Sequence, residues 1–266
     1  MKIAALQTVA TLDVDRNLEV ANRLIGEAAR EGAELVALPE YFCLLGQRDD
    51  DQLRVAEVPG AGPIQAFLAA QAKQHGLWLI GGTLPMRTVD PAHARNSCCV
   101  YAPDGNLAAR YDKMHLFRYD NGRESYDEAR VLEAGSEPVA LQAGPLRLGL
   151  SVCYDLRFPE LYRRLCVPPC DLLSVPAAFT YTTGRAHWEL LLRARAVENQ
   201  CYVIAPAQGG THENGRRTWG HSLVVDPWGD VLAVLPEGEG VVLAEIDMQR
   251  IASVRRQLPA LAHRRL

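Results

Sequence analysis

The chain has 266 residues, is 48% hydrophobic and carries a formal net charge of −4 at pH 7. That length is enough for one large core, so one domain over 1–266 is expected, and the mild negative balance excludes a basic footprint for nucleic acid. The opening MKIAALQTVATLDVD meets acidic residues too soon for a signal-peptide core or a membrane span, and seven irregularly spaced cysteines fit reduced thiols, so a cytoplasmic protein is expected.

In chain order, Lys2–Thr8 reads as a strand and Arg16–Arg30 as a helix with Leu18, Ala21, Ile25 and Ala28 on one face, ended by Gly32. ELVALPE follows as a second strand, so a right-handed parallel crossover is expected. The unit repeats, with a helix over Pro63–His75 stopped by Gly76 and a strand over Leu77–Leu84. SCCVYAPDGNLAARYDK reads as a hairpin in which Cys98 and Cys99 are small buried hydrophobes. The polar stretch HLFRYDNGRESYDEA breaks the pattern, and a loop of that length in a compact domain is usually functional or mobile. DLLSVPAAF then reads as a strand, and Arg185–Asn199 as a helix burying His187, Leu190, Leu191, Ala194 and Val197, with Glu189 and Arg193 paired outside. CYVIAPAQ, a hairpin in GHSLVVDPWGDVLAVLP, VVLAEID, a helix over Met248–Gln257 and a solvated basic tail HRRL complete the chain. Parallel crossovers mixed with hairpins imply an α/β fold of mixed sheets covered by helices.

One stretch carries the strongest chemical signal. In LRLGLSVCYDLRF an apolar strand runs into Cys153, with Gly149 and Ser151 on the cysteine's face, which suggests room for a substrate. Pro159 suits the first position of a helix, so Cys153 is expected just before a helix N-terminus that favours a thiolate. A cysteine nucleophile needs a base and a group to hold the oxyanion. Glu40 ends ELVALPE on the face of Val36 and Leu38, where a desolvated carboxylate has a raised pKa, and Lys113 closes AARYDK on the side of Leu107, Ala109 and Tyr111. A Cys–His pair using His115, His187 or His221 is equally compatible with the spacing. The histidines are scattered without HExxH, and Gly81-Gly82 and Gly209-Gly210 open no GxGxxG helix, so neither a metal site nor a phosphate cradle is expected.

Taken together, LPEYF around Glu40, YDKMHLF around Lys113 and GLSVCYDLRFPELYR around Cys153 resemble the nitrilase, or carbon-nitrogen hydrolase, superfamily, in the right order. AALQ, AAFT, RARAVENQCYV and GHSLVVDPWGD extend the likeness over nearly the whole chain. The resemblance implies a four-layer αββα sandwich, a homodimer with sheets extended across subunits, and a Glu-Lys-Cys triad on Glu40, Lys113 and Cys153 without any cofactor. Glu128 falls where that family has a second glutamate orienting the lysine, although Ala129 replaces the serine that often follows it. The chain is most similar to the Nit branch, whose amidases act on small-molecule amides such as deaminated glutathione or 2-oxoglutaramate. By that similarity Arg157 would bind the acyl carboxylate, Phe179 and Thr183 would line the pocket, and Tyr154 would offer its N–H to the oxyanion. VPPC at Val167–Cys170 and the run AQGGTHENG depart from the family pattern, the second in the outer pocket. A catalytically silent binding protein on the same fold is the alternative of another class.

Overall fold

A computed structural model describes residues 1–265, so the last residue of the HRRL tail lies outside the described residues. The first half contains β1 (Lys2–Gln7), α1 (Val14–Arg30), β2 (Leu35–Ala37), α2 (Asp51–Arg54), α3 (Pro63–His75), β3 (Trp78–Ile80), β4 (Leu84–Arg87), β5 (Ala94–Tyr101), β6 (Leu107–Asp112), β7 (Arg118–Asp120) and β8 (Ser125–Asp127). The second half contains β9 (Ala140–Ala143), β10 (Leu146–Leu150), α4 (Pro159–Leu165), β11 (Leu172–Ser174), α5 (Tyr181–Asn199), β12 (Tyr202–Ala205), β13 (Ser222–Val225), β14 (Val231–Leu235), β15 (Gly240–Glu245) and α6 (Met248–Gln257). One seven-stranded sheet runs β15-β1-β2-β3-β5-β4 with β6 added on β5, and one six-stranded sheet runs β14-β13-β12-β11-β10-β9. In each sheet three parallel strands, β1-β2-β3 and β10-β11-β12, are flanked by antiparallel ones.

The layering follows from strand alternation. Ile3, Ala5, Leu35 and Ala37 point into the core shared with the second sheet, whereas Ala4, Leu6, Val36 and Leu38 pack with Ala21, Leu24 and Ile25 of α1 and Ile64 and Leu68 of α3. On the far side, Leu161 and Leu165 of α4 and Trp188 and Leu192 of α5 cover the second sheet. The result is helices, sheet, sheet, helices, the four layers that the resemblance implied. The helix ends have local causes: Asp13 caps α1 by accepting from the Arg16 N–H, and α3 starts at Pro63 and stops at Gly76 in the left-handed region.

Three expectations need correction. The strand expected over Leu77–Leu84 is two strands, because the chain turns at Gly81-Gly82 and passes so close to the β2 end that a Cβ on Gly82 would lie 2.1 Å from the Pro39 carbonyl oxygen. The buried face of α5 is Trp188, Leu192, Arg195, Ala196 and Asn199, while His187, Leu190 and Val197 face outward. Arg195 misleads the periodicity: its guanidinium donates to the Leu156 carbonyl at 3.1 and 2.8 Å and stands 5.2 Å above the Tyr162 ring, so a charged residue occupies the core face. The long polar stretch after Lys113 is ordered by the β7-β8 hairpin and a 3-10 turn over Glu128–Arg130.

Candidate active site

The functional side chains are delivered by strand ends. β2 stops at Ala37; Leu38 still donates to Ile80 O, but Pro39 has no N–H to continue the ladder and Tyr41 turns the chain with φ 57°. This turn swings Glu40 away from the helix-facing side of Val36 and Leu38, where the alternation placed it. Its backbone is fixed by the buried Gln208 amide, which donates to Glu40 O at 3.1 Å, and by the Tyr41 N–H on Thr83 Oγ1 at 2.9 Å. Lys113 extends the β5-β6 hairpin by one more bond, its N–H donating to Asn96 O at 3.0 Å. Cys153 follows β10, with its N–H on Pro176 O at 2.9 Å and φ 49°, a strained value for a residue with a Cβ.

These ends converge. Lys113 Nζ donates to Glu40 Oε1 at 2.9 Å and to both oxygens of Glu128 at 2.8 Å, with the ammonium fully shielded from solvent. Glu40 also accepts from Asn96 Nδ2 at 2.9 Å and from the Ala178 N–H at 3.0 Å. Glu128 accepts from Tyr41 O–H at 2.9 Å and from the Phe117 N–H at 2.6 Å. Burial raises the pKa of Glu40, Lys113 works against that, and Glu128 adds to it. For Lys113 burial favours the neutral form, but Glu128 and Glu40 outweigh it and hold the group well above the usual lysine range. Burial, with the Glu40 charge next, pushes the Cys153 thiol well up, Lys113 opposing. The Cys153 thiol is therefore held in its protonated form, and the expected stabilisation of a thiolate is absent. Burial and the Glu40 charge raise the thiol, and no helix end offsets them, because Cys153 opens a 3-10 turn, Cys153–Arg157, and α4 starts only at Pro159. The small residues of the strand serve packing instead of substrate. A Cβ on Gly149 would come within 2.9 Å of Leu173 and 3.1 Å of Cys170 Sγ, and Ser151 Oγ pairs with Tyr162 O–H at 2.8 Å.

Cys153, Glu40 and Glu128 line one cavity together with Tyr154, Arg157, Phe179 and Thr183, so the expected substrate-binding residues are all at its wall. Arg157 is bracketed by aromatic rings, 5.7 Å from the Tyr154 centroid and 5.4 Å from that of Phe179, and among the described residues it has no carboxylate partner. The three histidines considered as bases are engaged elsewhere. His115 stacks on Phe158 at 3.7 Å and pairs with Asp155 at 2.7 Å, His187 meets Arg157 at 3.2 Å, and His221 stacks on Trp219 at 4.1 Å. Among the described residues, no group of three His, Cys, Asp or Glu side chains could hold a metal ion, and no helix is long and apolar enough to cross a membrane.

Sequence reasoning missed Tyr41, Asn96, the Ala178 amide, Asp155 and the outer wall of Arg48, Asp49, Tyr126 and Arg216. Of these only Asp155 had a usable signal, a carboxylate two positions after Cys153 at the end of an apolar strand. It is fully buried and accepts from the Tyr111 O–H at 2.7 Å, the Val152 N–H at 2.9 Å, the His115 N–H at 3.0 Å and the His115 ring. Asp155→Leu leaves those buried donors without an acceptor, so a loss of about 3 kcal/mol in urea unfolding is expected. A loss below about 1 kcal/mol would show that the turn is held by packing alone.

Comparison with known proteins gives the family. The carbon-nitrogen hydrolase family model matches residues 2–256. The chain is 42% identical over 265 residues to the deaminated glutathione amidase of Synechocystis, covering 98% of this chain and 97% of the relative. It is 38% identical over 265 residues to omega-amidase NIT2-A of Xenopus laevis, covering 99% of this chain and 95% of the relative. The crystal structure of the C. elegans NitFhit protein superposes with a TM-score of 0.90 at 38% identity, covering 99% of this chain and 65% of the larger protein. A family match along nearly the whole chain, on a sandwich of two helix-covered sheets, makes this chain a member of the carbon-nitrogen hydrolase family.

Proposed function

We propose that the chain is a cysteine amidohydrolase acting on the amide of 2-oxoglutarate with cysteinylglycine, that is, on deaminated glutathione. The observation that carries this reading is the meeting, in one cavity, of the Cys153 thiol and Glu40 with an Arg157 guanidinium that has no carboxylate partner among the described residues. A guanidinium held between two rings presents a planar fork suited to the acyl carboxylate. Phe179 and Thr183 would line the acyl end.

In the proposed cycle Glu40 takes the Cys153 proton as sulfur attacks the amide carbon, and the developing oxyanion is held by Lys113 and the Tyr154 N–H. Glu40 returns the proton to the departing nitrogen as the carbon-nitrogen bond breaks, leaving a thioester on Cys153. Water, deprotonated by Glu40, then attacks the thioester, and the thiol leaves with the proton. Glu128 takes no proton in this cycle; it fixes Lys113 through two bonds of 2.8 Å. No cofactor enters. The cycle is read as the work of one domain, and the free state of all seven cysteines supports a reducing compartment such as the cytoplasm. Leu190 and Val197 on α5, with Trp228 in the turn beside it, are exposed apolar residues that support self-association as a homodimer.

The relatives named omega-amidase favour one second reading, release of ammonia from 2-oxoglutaramate, which has the same acyl half. Comparing kcat/KM for the two amides separates them, since only the leaving group differs. Brief exposure to either substrate followed by mass spectrometry is expected to show an acyl adduct on Cys153. An unmodified Cys153, with full turnover by Cys153→Ser, would sink the mechanism.

A further inference from the structure

Beyond the acyl end, the cavity opens onto a shelf that shares Arg48, Asp49, Val131 and Arg216 with it and adds Arg130. Arg216 is the most firmly placed cation there. Its Nη2 donates to Asp49 Oδ1 at 2.8 Å and its guanidinium carbon stands 5.2 Å from the Tyr126 ring centroid. The backbone beneath it is tied down as well: Arg216 N donates to Asn214 Oδ1 at 2.9 Å, and Asn214 Nδ2 donates to Gly46 O at 2.7 Å, joining two of the three segments that form the shelf. Arg216 and Asp49 keep 36% and 40% of their side-chain surface exposed. An ion pair that open is weak, and a guanidinium has five donors, so the Asp49 bond leaves others for a ligand.

We propose that Arg216 binds the carboxylate of the leaving group, and thereby selects amides whose departing amine is a short peptide over amides that release ammonia. The inference rests on the reading above, in which Arg157 takes the acyl carboxylate. With the acyl half held there, the departing amine must extend toward another part of the cavity. Ammonia reaches nothing beyond Cys153, whereas an extended dipeptide spans about 7 Å past the scissile nitrogen and ends in a carboxylate. The shelf offers that carboxylate a positioned fork of donors on an aromatic face, with Arg130 adding positive charge beside it and Arg48 paired with Asp50 at 3.3 Å.

The test measures kcat/KM for three substrates: 2-oxoglutaryl-cysteinylglycine, the same compound with its terminal carboxylate converted to carboxamide, and 2-oxoglutaramate. Arg216→Gln is expected to lower the ratio of the first to the third by roughly 10- to 100-fold, chiefly through KM, with Arg216→Lys intermediate. On the unaltered protein the carboxamide loses a similar factor, and on Arg216→Gln the acid and the carboxamide become equivalent. An equal loss on all three substrates would assign Arg216 a structural role and overturn the proposal, as would a carboxamide used as well as the acid by the unaltered protein. Failure of the unaltered protein on every amide, with no adduct on Cys153, would remove the amidase reading and this inference with it. A matching thermal midpoint for the variants excludes misfolding as the cause of any loss.

Discussion

Glu40→Gln is expected to lower kcat/KM by about 10²- to 10⁴-fold while making the Cys153 thiol easier to ionise. The two effects have opposite sign because Glu40 acts on the thiol in two ways. Its charge, after burial, helps push the Cys153 pKa up, so removing that charge leaves Lys113 to pull it down. Yet the thiol is protonated at rest and the glutamine amide cannot accept its proton, so turnover stops at the first step. Alkylation of Cys153 by iodoacetamide at neutral pH should therefore speed up in the variant as hydrolysis slows. Loss of both rates together, or retention of more than about a tenth of the activity, would remove Glu40 from the role of base. The pH profile gives the same role a second reading. The base must be ionised, and burial raises the Glu40 pKa, so the acid limb of kcat/KM falls above the ordinary glutamate range. Glu128 contributes to that rise, so Glu128→Gln is expected to move the acid limb to lower pH.

Lys113→Met is the second large effect, and it falls on stability and activity together. Lys113 is buried and holds Glu40 and Glu128 at 2.9 and 2.8 Å. Without it the two carboxylates have no cation between them, and a loss of about 3–5 kcal/mol in urea unfolding is expected, as for any buried pair broken from one side. Activity falls by at least about 10²–10³-fold through loss of the oxyanion donor. Removing Lys113 also removes the influence that lowers the Glu40 pKa, so the base is more fully protonated at a given pH. Adding Glu128→Gln to Lys113→Met deletes one of the stranded charges and should recover part of the stability with none of the turnover. An unfolding midpoint unchanged by Lys113→Met would contradict this account of the buried cluster.

Much of this architecture is legible from pattern because its causes are local. α3 and α6 have the predicted ends, since Pro63, Gly76 and the Asp247 cap act on their own neighbours, and the strand-helix-strand order fixed the parallel crossovers. Glu40, Lys113 and Cys153 were found through three motifs in order, but their surroundings were not. Glu40 sits on a turn that exists because Gly82, forty residues on, lets the chain pass Pro39 closely. The state of the thiol depends on burial and on a carboxylate from the other sheet, neither visible in LRLGLSVCYDLRF. The Ala178 amide and Arg216 carry no periodic or motif signal; tertiary packing alone brings them to the cavity.

Glu40 and Lys113 hang from strands of one sheet, and Cys153 and the Ala178 amide from strands of the other. The bonds from the Ala178 N–H to Glu40 and from the Tyr111 O–H to Asp155 both cross between the two sheets. The cluster thus behaves as a vernier, reading the alignment of two plates whose facing surfaces are mostly apolar. Displacing one plate on the other by about 1 Å leaves every strand and helix intact, yet at such a site it can cost about 10²-fold in rate. Turnover is for that reason a finer measure of how the sheets sit on each other than any probe of secondary structure.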